Sequence, residues 1–162
     1  MTFYSIVKAI HIAAVVIAFG VVFTYPVIVP VARRAHPRNL PFLHRMQDRI
    51  GKLVINPAGA VVLLAGIYLA LQGPWRLREW WVGFGILAIV VILGVGGAFL
   101  SPSERRLAEL AERDIGAAEG REVRLGDDYQ ALAGRVLAVQ VGIAALVVVT
   151  ILLMVLGSRG QL

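Results

Sequence analysis

Apolar residues run along this chain in four long blocks, each free of Lys, Arg, Asp and Glu: Ala9–Ala32, Leu53–Trp75, Trp80–Ser103 and Val136–Ser158. About 20 apolar helical residues cross the roughly 30 Å of hydrocarbon in a bilayer, so each block predicts a spanning helix. Strands do not compete, because an open sheet leaves its backbone groups unpaired in lipid. Between the blocks the polar segments keep a helical rhythm of their own. Phe42, Leu43, Met46, Ile50 and Leu53 recur at helical spacing, as do Leu107, Leu110, Ala111 and Ile115. The expected fold is an all-α membrane protein, a four-transmembrane-helix up-down bundle forming one domain over residues 1–162. Its helices cover about residues 2–29, 41–72, 79–115 and 128–157, with helical cytoplasmic extensions.

Prolines and glycines punctuate this pattern. Pro26 and Pro30 bracket the far end of the first block and predict a kink or stop there. Pro41 suits the first turn of a helix. Pro57 leaves the Leu53 carbonyl without its helical donor and predicts a kink at Asn56-Pro57. Ser101-Pro102-Ser103-Glu104 reads as a helix start, with Ser at the N-cap and Glu three positions on. Gly83, Gly85, Gly94, Gly96 and Gly97 predict close helix packing in the third span. Arg105, Glu109 and Arg113 form a ladder at (i, i+4) spacing. Gly116, Gly120 and Gly126 mark a turn, after which Asp127 or Asp128 caps the last helix.

Charge adds an orientation. Alternating spans place both chain ends and the short connection Gly73–Glu79 on one side. Arg33, Arg34, Arg38, Arg45, Arg49 and Lys52 fall in the first connection, and Arg105, Arg106, Arg113, Arg121, Arg124 and Arg135 in the third. Only Lys8, Arg76, Arg78 and Arg159 lie opposite. The positive-inside rule then predicts a multi-pass protein of the bacterial inner membrane, with the first and third connections cytoplasmic and both termini outside. Phe3, Tyr4, Trp75, Trp80 and Trp81 fit aromatic belts. The six basic residues of the first connection are candidates to hold anionic lipid headgroups, although a pure topology signal is the plainer reading. A net charge of +6 is thus read as membrane orientation, and no nucleic-acid partner is expected. The first block is too long for a secretory h-region and is expected to be retained.

Chemistry-bearing residues are few. There is no cysteine, which excludes disulfides, thiolate metal sites and iron–sulfur ligation by this chain alone. No metal site and no catalytic residue are expected, and motifs of the common enzyme classes are absent. His11 is the one histidine inside a predicted span, three residues after Lys8, which can snorkel to the interface. Three roles are open for it: hydrogen-bonded glue between helices, which is favoured, a redox or metal role as a haem or metal ligand, or a transport-gating group. His44 and Asp48 share a helical face, but Arg45 and Arg49 crowd them as metal ligands. Comparable depths predict an Asn56–Gln140 hydrogen bond near the cytoplasmic side and a His11–Tyr68 contact near the outer side.

Lys8-Ala9-Ile10-His11 with Gly20, and Asn56-Pro57-Ala58 with Gly66, resemble the first and second helices of a group of small bacterial membrane proteins. The group includes an uncharacterised integral membrane family of about this length, which the chain resembles over nearly its whole extent. It also includes CopD-like copper-resistance proteins and HemJ-like protoporphyrinogen oxidases. The HemJ resemblance implies haem b associated with His11, with Phe19 standing where a tryptophan is typical. CopD-like proteins are richer in His and Met than this chain, which has three of each. The favoured expectation is a non-enzymatic inner-membrane bundle without cofactor, able to form a homodimer through small-residue faces. The alternatives are a haem-binding redox protein and a small transporter subunit hinged at Pro57.

Overall fold

The computed structural model describes residues 2–73 and 79–158, apart from the side chain of residue 158. Trp75, Arg76, Arg78 and Arg159, invoked above for belts and orientation, lie outside the described residues. The described chain is all-helical, with four rods long and apolar enough to cross a membrane: Phe3–Ala35, Pro37–Gln72, Trp80–Ala117 and Asp127–Gly157. Their length and composition agree with the four apolar blocks.

Each of the first three rods is a compound helix. The first is α1 (Phe3–Gly20), a tightened 3-10 turn over Val21–Thr24, and α2 (Tyr25–Ala35). The tightening falls immediately before Pro26, and Pro30 is accommodated inside α2. The second rod is a 3-10 turn over Pro37–Asn39, α3 (Leu40–Ile50), a widened π turn over Gly51–Ile55, and α4 (Asn56–Gln72). The third is α5 (Trp80–Val95), a second π turn over Gly96–Leu100, and α6 (Ser101–Ala117). The fourth, α7, runs unbroken over Asp127–Ser158.

The two π turns have the same sequence logic. Gly51 is followed five residues on by Asn56-Pro57, and Gly96 five residues on by Ser101-Pro102. In an α-helix the proline ring collides with the carbonyl four residues back. Widening the preceding turn relieves that collision, and the Asn56 and Ser101 amides donate five residues back, to Gly51 and Gly96. The kink expected at Asn56-Pro57 is therefore a π turn, and it has a twin in the third span.

α3 and α6 pack on each other as antiparallel extensions of the second and third spans. Together with α2, the 119–126 turn and the start of α7 they form what we call the basic end. Its core is Leu40, Leu43, Leu107, Leu110, Ala111, Tyr129 and Val136. Of the stripe expected on α6, Leu107, Leu110 and Ala111 are buried here and Ile115 is half-buried. The stripe expected on α3 is only partly so, because Phe42 and Leu53 are exposed. The buried face of α3 instead runs through Leu40, Leu43, His44, Gln47 and Asp48. The centre of the bundle is built from Ala14, Ala18, Phe19, Val22, Val62, Ile89, Ile92, Ile143 and Val147.

Two local expectations are corrected. Of the five glycines in the third span only Gly85 abuts another helix, with Met154 over its Cα; Gly83, Gly94, Gly96 and Gly97 have open space where a side chain would stand. The close approaches lie at Gly59, against Leu93, and Gly157, against Trp81. The (i, i+4) ladder on α6 is also absent. Glu109 pairs with Arg106 at 3.0 Å, and Arg113 with Asp114 and Asp128. In the turn before α7, Glu119 and Gly120 adopt positive φ, and the Gly126 amide donates to Asp114.

Candidate functional site

Ser101 does not cap a helix and Glu104 does not close a capping box. The π turn carries the third rod straight through Leu100 and Ser101, so no free helix N-terminus exists for them to satisfy. Their side chains turn to other helices instead. The Ser101 hydroxyl donates to Asp48 Oδ1 at 2.6 Å, and Asp48 Oδ2 accepts from Lys52.

Glu104 is 3 % exposed and is the hub of a polar network between three rods. Its Oε2 lies 2.6 Å from His44 Nδ1, and its Oε1 accepts from Gln140 Nε2 at 3.0 Å. The Gln47 amide, oriented by its surroundings to donate, reaches the two Glu104 oxygens at 3.0 and 3.2 Å. His44 Nε2 lies 2.8 Å from the Tyr129 hydroxyl. Tyr129, His44 and Glu104 are thus linked in series, with Tyr129 fully buried. In the tautomer with the proton on Nδ1, the Tyr129 hydroxyl donates to Nε2 and Nδ1–H donates to the carboxylate, so that each proton of the series has an acceptor.

Glu104, Gln47 and Gln140 of this network line a cavity of about 210 Å³ together with Tyr25, Asp48, Lys52, Asn56, Ser101 and neighbouring apolar residues. Gly51, Gly96 and Gly97 of the two π turns also line it. Asn56 and Gln140 share this cavity, as their depths suggested. Gln140, however, donates to Glu104, and no Asn56–Gln140 hydrogen bond occurs among the described residues.

A second, larger cavity of about 560 Å³ lies at the opposite end, lined from all four spans. Its walls are apolar apart from Tyr4, Lys8, His11 and Thr150. α1 packs chiefly on α4, and the first rod reaches α7 mainly through Val21–Thr24 and α2. The flank between α1 and α7 is therefore the least closed side of this cavity. His11 packs over Gly66 and beside the Val62 carbonyl. It makes no hydrogen bond with Tyr68, whose ring meets Phe3 edge-on at 5.6 Å.

Three buried side-chain polar atoms lack a hydrogen-bond partner among the described residues: the Tyr4 hydroxyl, His11 Nδ1 and the Tyr25 hydroxyl. Tyr4 and His11 line the large cavity and Tyr25 the small one. Buried polar groups are nearly always satisfied, so each orphan marks a place where the fold leaves bonding capacity beside a space. No group of three or more His, Cys, Asp or Glu arranged to hold a metal occurs among the described residues.

His44, Glu104 and Tyr129 were not singled out together by sequence reasoning. The available signal was polar residues interrupting two apolar stripes at helical spacing, His44 and Gln47 beside Leu40 and Leu43, and Glu104 beside Leu107 and Ala111. Among the basic residues proposed for lipid, Arg45 pairs with Glu112 and Lys52 with Asp48, and Arg38 donates to the Arg121 carbonyl.

No curated protein and no solved structure matches the chain. Residues 5–157 match the family described as predicted integral membrane protein (DUF2269), which agrees in extent with the four helical rods, and the chain belongs to that family.

Proposed function

We propose that this protein is a non-enzymatic bundle of the bacterial inner membrane that holds a lipid-soluble ligand in the larger cavity, admitted from the bilayer along the α1–α7 flank. The observation that carries this reading is the pairing of a 560 Å³ apolar space with two unpartnered polar atoms, His11 Nδ1 and the Tyr4 hydroxyl. Ligand pockets commonly enclose about 300–1,000 Å³ and orient their ligand with a few polar groups. Lys8 at the rim supplies a positive charge toward which an acidic or electron-rich head of the ligand would turn. The basic end faces the cytoplasm in this reading, its arginines near anionic headgroups, with both termini outside. A homodimer through small-residue faces and a transport role hinged at Pro57 are compatible with it.

Haem b is the second reading, favoured by His11 Nδ1 alone. A neutral imidazole nitrogen without a protein partner suits an axial position, and Met154 is a further soft donor on the same cavity. The bound group would supply one-electron chemistry. The chain's part would be to hold it through His11 and to exclude water with Phe19, Ile89 and Ile92.

Purification of the full chain in nanodiscs, followed by native mass spectrometry and a visible spectrum after haem supply, tests both readings. A bound lipid-soluble species lost in His11→Ala is the expected result, and a Soret band lost in that variant selects haem. A protein that carries neither would overturn the proposal.

A further inference from the structure

The smaller cavity is a separate site, and we propose that it binds a monovalent inorganic cation. Glu104 and Asp48, both buried, bring two carboxylates to the wall of a space of about 210 Å³. Buried carboxylate charge is costly, and a bound cation offsets that cost.

The other charges nearby do not supply the counter-charge. Lys52 is held by Asp48. Arg33 and Arg105 are both exposed to the surroundings. Asp48 accepts from Lys52 and Ser101.

The Tyr25 hydroxyl is the independent observation: the residue is 7 % exposed, lines the cavity, and its oxygen has no partner. Backbone oxygens add to it. Pro57 and Pro102 have no N–H, so each π turn leaves at least one carbonyl without an intrahelical donor, in segments whose Gly51, Lys52, Gly96 and Gly97 line the same cavity. Interrupted helices that present freed carbonyls beside a carboxylate are a recurrent way to bind alkali ions inside membrane proteins. The room suffices for an ion that keeps some of its water, since a water takes about 30 Å³. The set is all oxygen, which disfavours the softer transition metals.

The test is thermal unfolding of the full chain in nanodiscs, titrated with sodium, potassium or N-methylglucamine chloride at constant ionic strength. Sodium or potassium is expected to raise the melting temperature saturably, and N-methylglucamine to leave it unchanged. Tyr25→Phe keeps the ring and removes the oxygen, so it folds as the parent does and needs roughly tenfold more salt for half-saturation. His11→Ala, altered in the other cavity, keeps the full response, so failure of the lipid-soluble-ligand reading leaves this result untouched. Equal stabilisation by all three salts, a response to calcium or magnesium alone, or an undiminished response in Tyr25→Phe overturns the proposal.

Discussion

His44 Nδ1 lies 2.6 Å from Glu104 Oε2, joining α3 to α6 across 60 residues of chain. The contact is sealed from solvent on both sides, and Tyr129 extends it to α7. Three rods are therefore tied at one level by directed polar contacts inside an otherwise apolar packing. His44→Leu leaves a carboxylate oxygen and the Tyr129 hydroxyl without their partner. The expected loss is about 1.5–3 kcal/mol, the range for a hydrogen bond to a charged group. Tyr129→Phe is expected to cost about 1–3 kcal/mol by orphaning Nε2. The double variant should lose less than the sum of the two, as residues of one network do. Denaturant unfolding in mild detergent measures all three, and strict additivity would show that the series is not coupled.

Gly157 and Gly83 make a matched pair of glycine tests. A Cβ at Gly157 would stand 2.5 Å from the Trp81 ring, whereas one at Gly83 meets nothing within 4 Å. Gly157→Ala forces a rigid indole to move and should destabilise by about 1–3 kcal/mol. Gly83→Ala should be neutral or stabilise by up to about 1 kcal/mol, because alanine is the better helix former. Melting temperatures of the two variants are expected to move in opposite directions or by clearly different amounts.

Pro57 shapes the smaller cavity through the π turn that precedes it. Pro57→Ala restores a backbone N–H and removes the ring that forbids an ordinary α turn. The second rod is expected to regularise, with a gain of about 0.5–1.5 kcal/mol for the recovered hydrogen bond and loss of the cation response described above. A variant that keeps its cation response and shows no gain in stability would mean that packing, not the proline, imposes the wide turn.

Orientation can be read with thiol labelling, since the chain has no cysteine of its own. His36→Cys reports on the basic end and Gly73→Cys on the other. A membrane-impermeant maleimide added to spheroplasts is expected to label residue 73 and spare residue 36 until the membrane is opened. The reverse pattern would invert the proposed topology.

Much of this protein is legible along the chain alone. Four blocks without charge dictate four spanning helices, because lipid offers the backbone no other way to satisfy its hydrogen bonds. Pro57 announced an irregularity in the second span, since a missing N–H and a ring clash act within one turn of helix. The stripe Leu107, Leu110, Ala111 was readable for the same reason: helical periodicity is local. What local pattern misassigned was the role of polar residues within such a stripe. Ser101-Pro102-Ser103-Glu104 has the composition of a helix start, and only the continuity of α5 into α6 shows that there is no terminus to cap. His44, Glu104 and Tyr129 are 60 and 85 residues apart in their contacts, so their meeting was decided by how the rods pack. The same holds for Asn56 and Gln140, which line one cavity while Gln140 donates to Glu104. Sequence determined which stretches form long apolar helices and where those helices deform. Tertiary packing decided which polar groups find partners and which, like the Tyr25 hydroxyl and His11 Nδ1, are left facing a cavity.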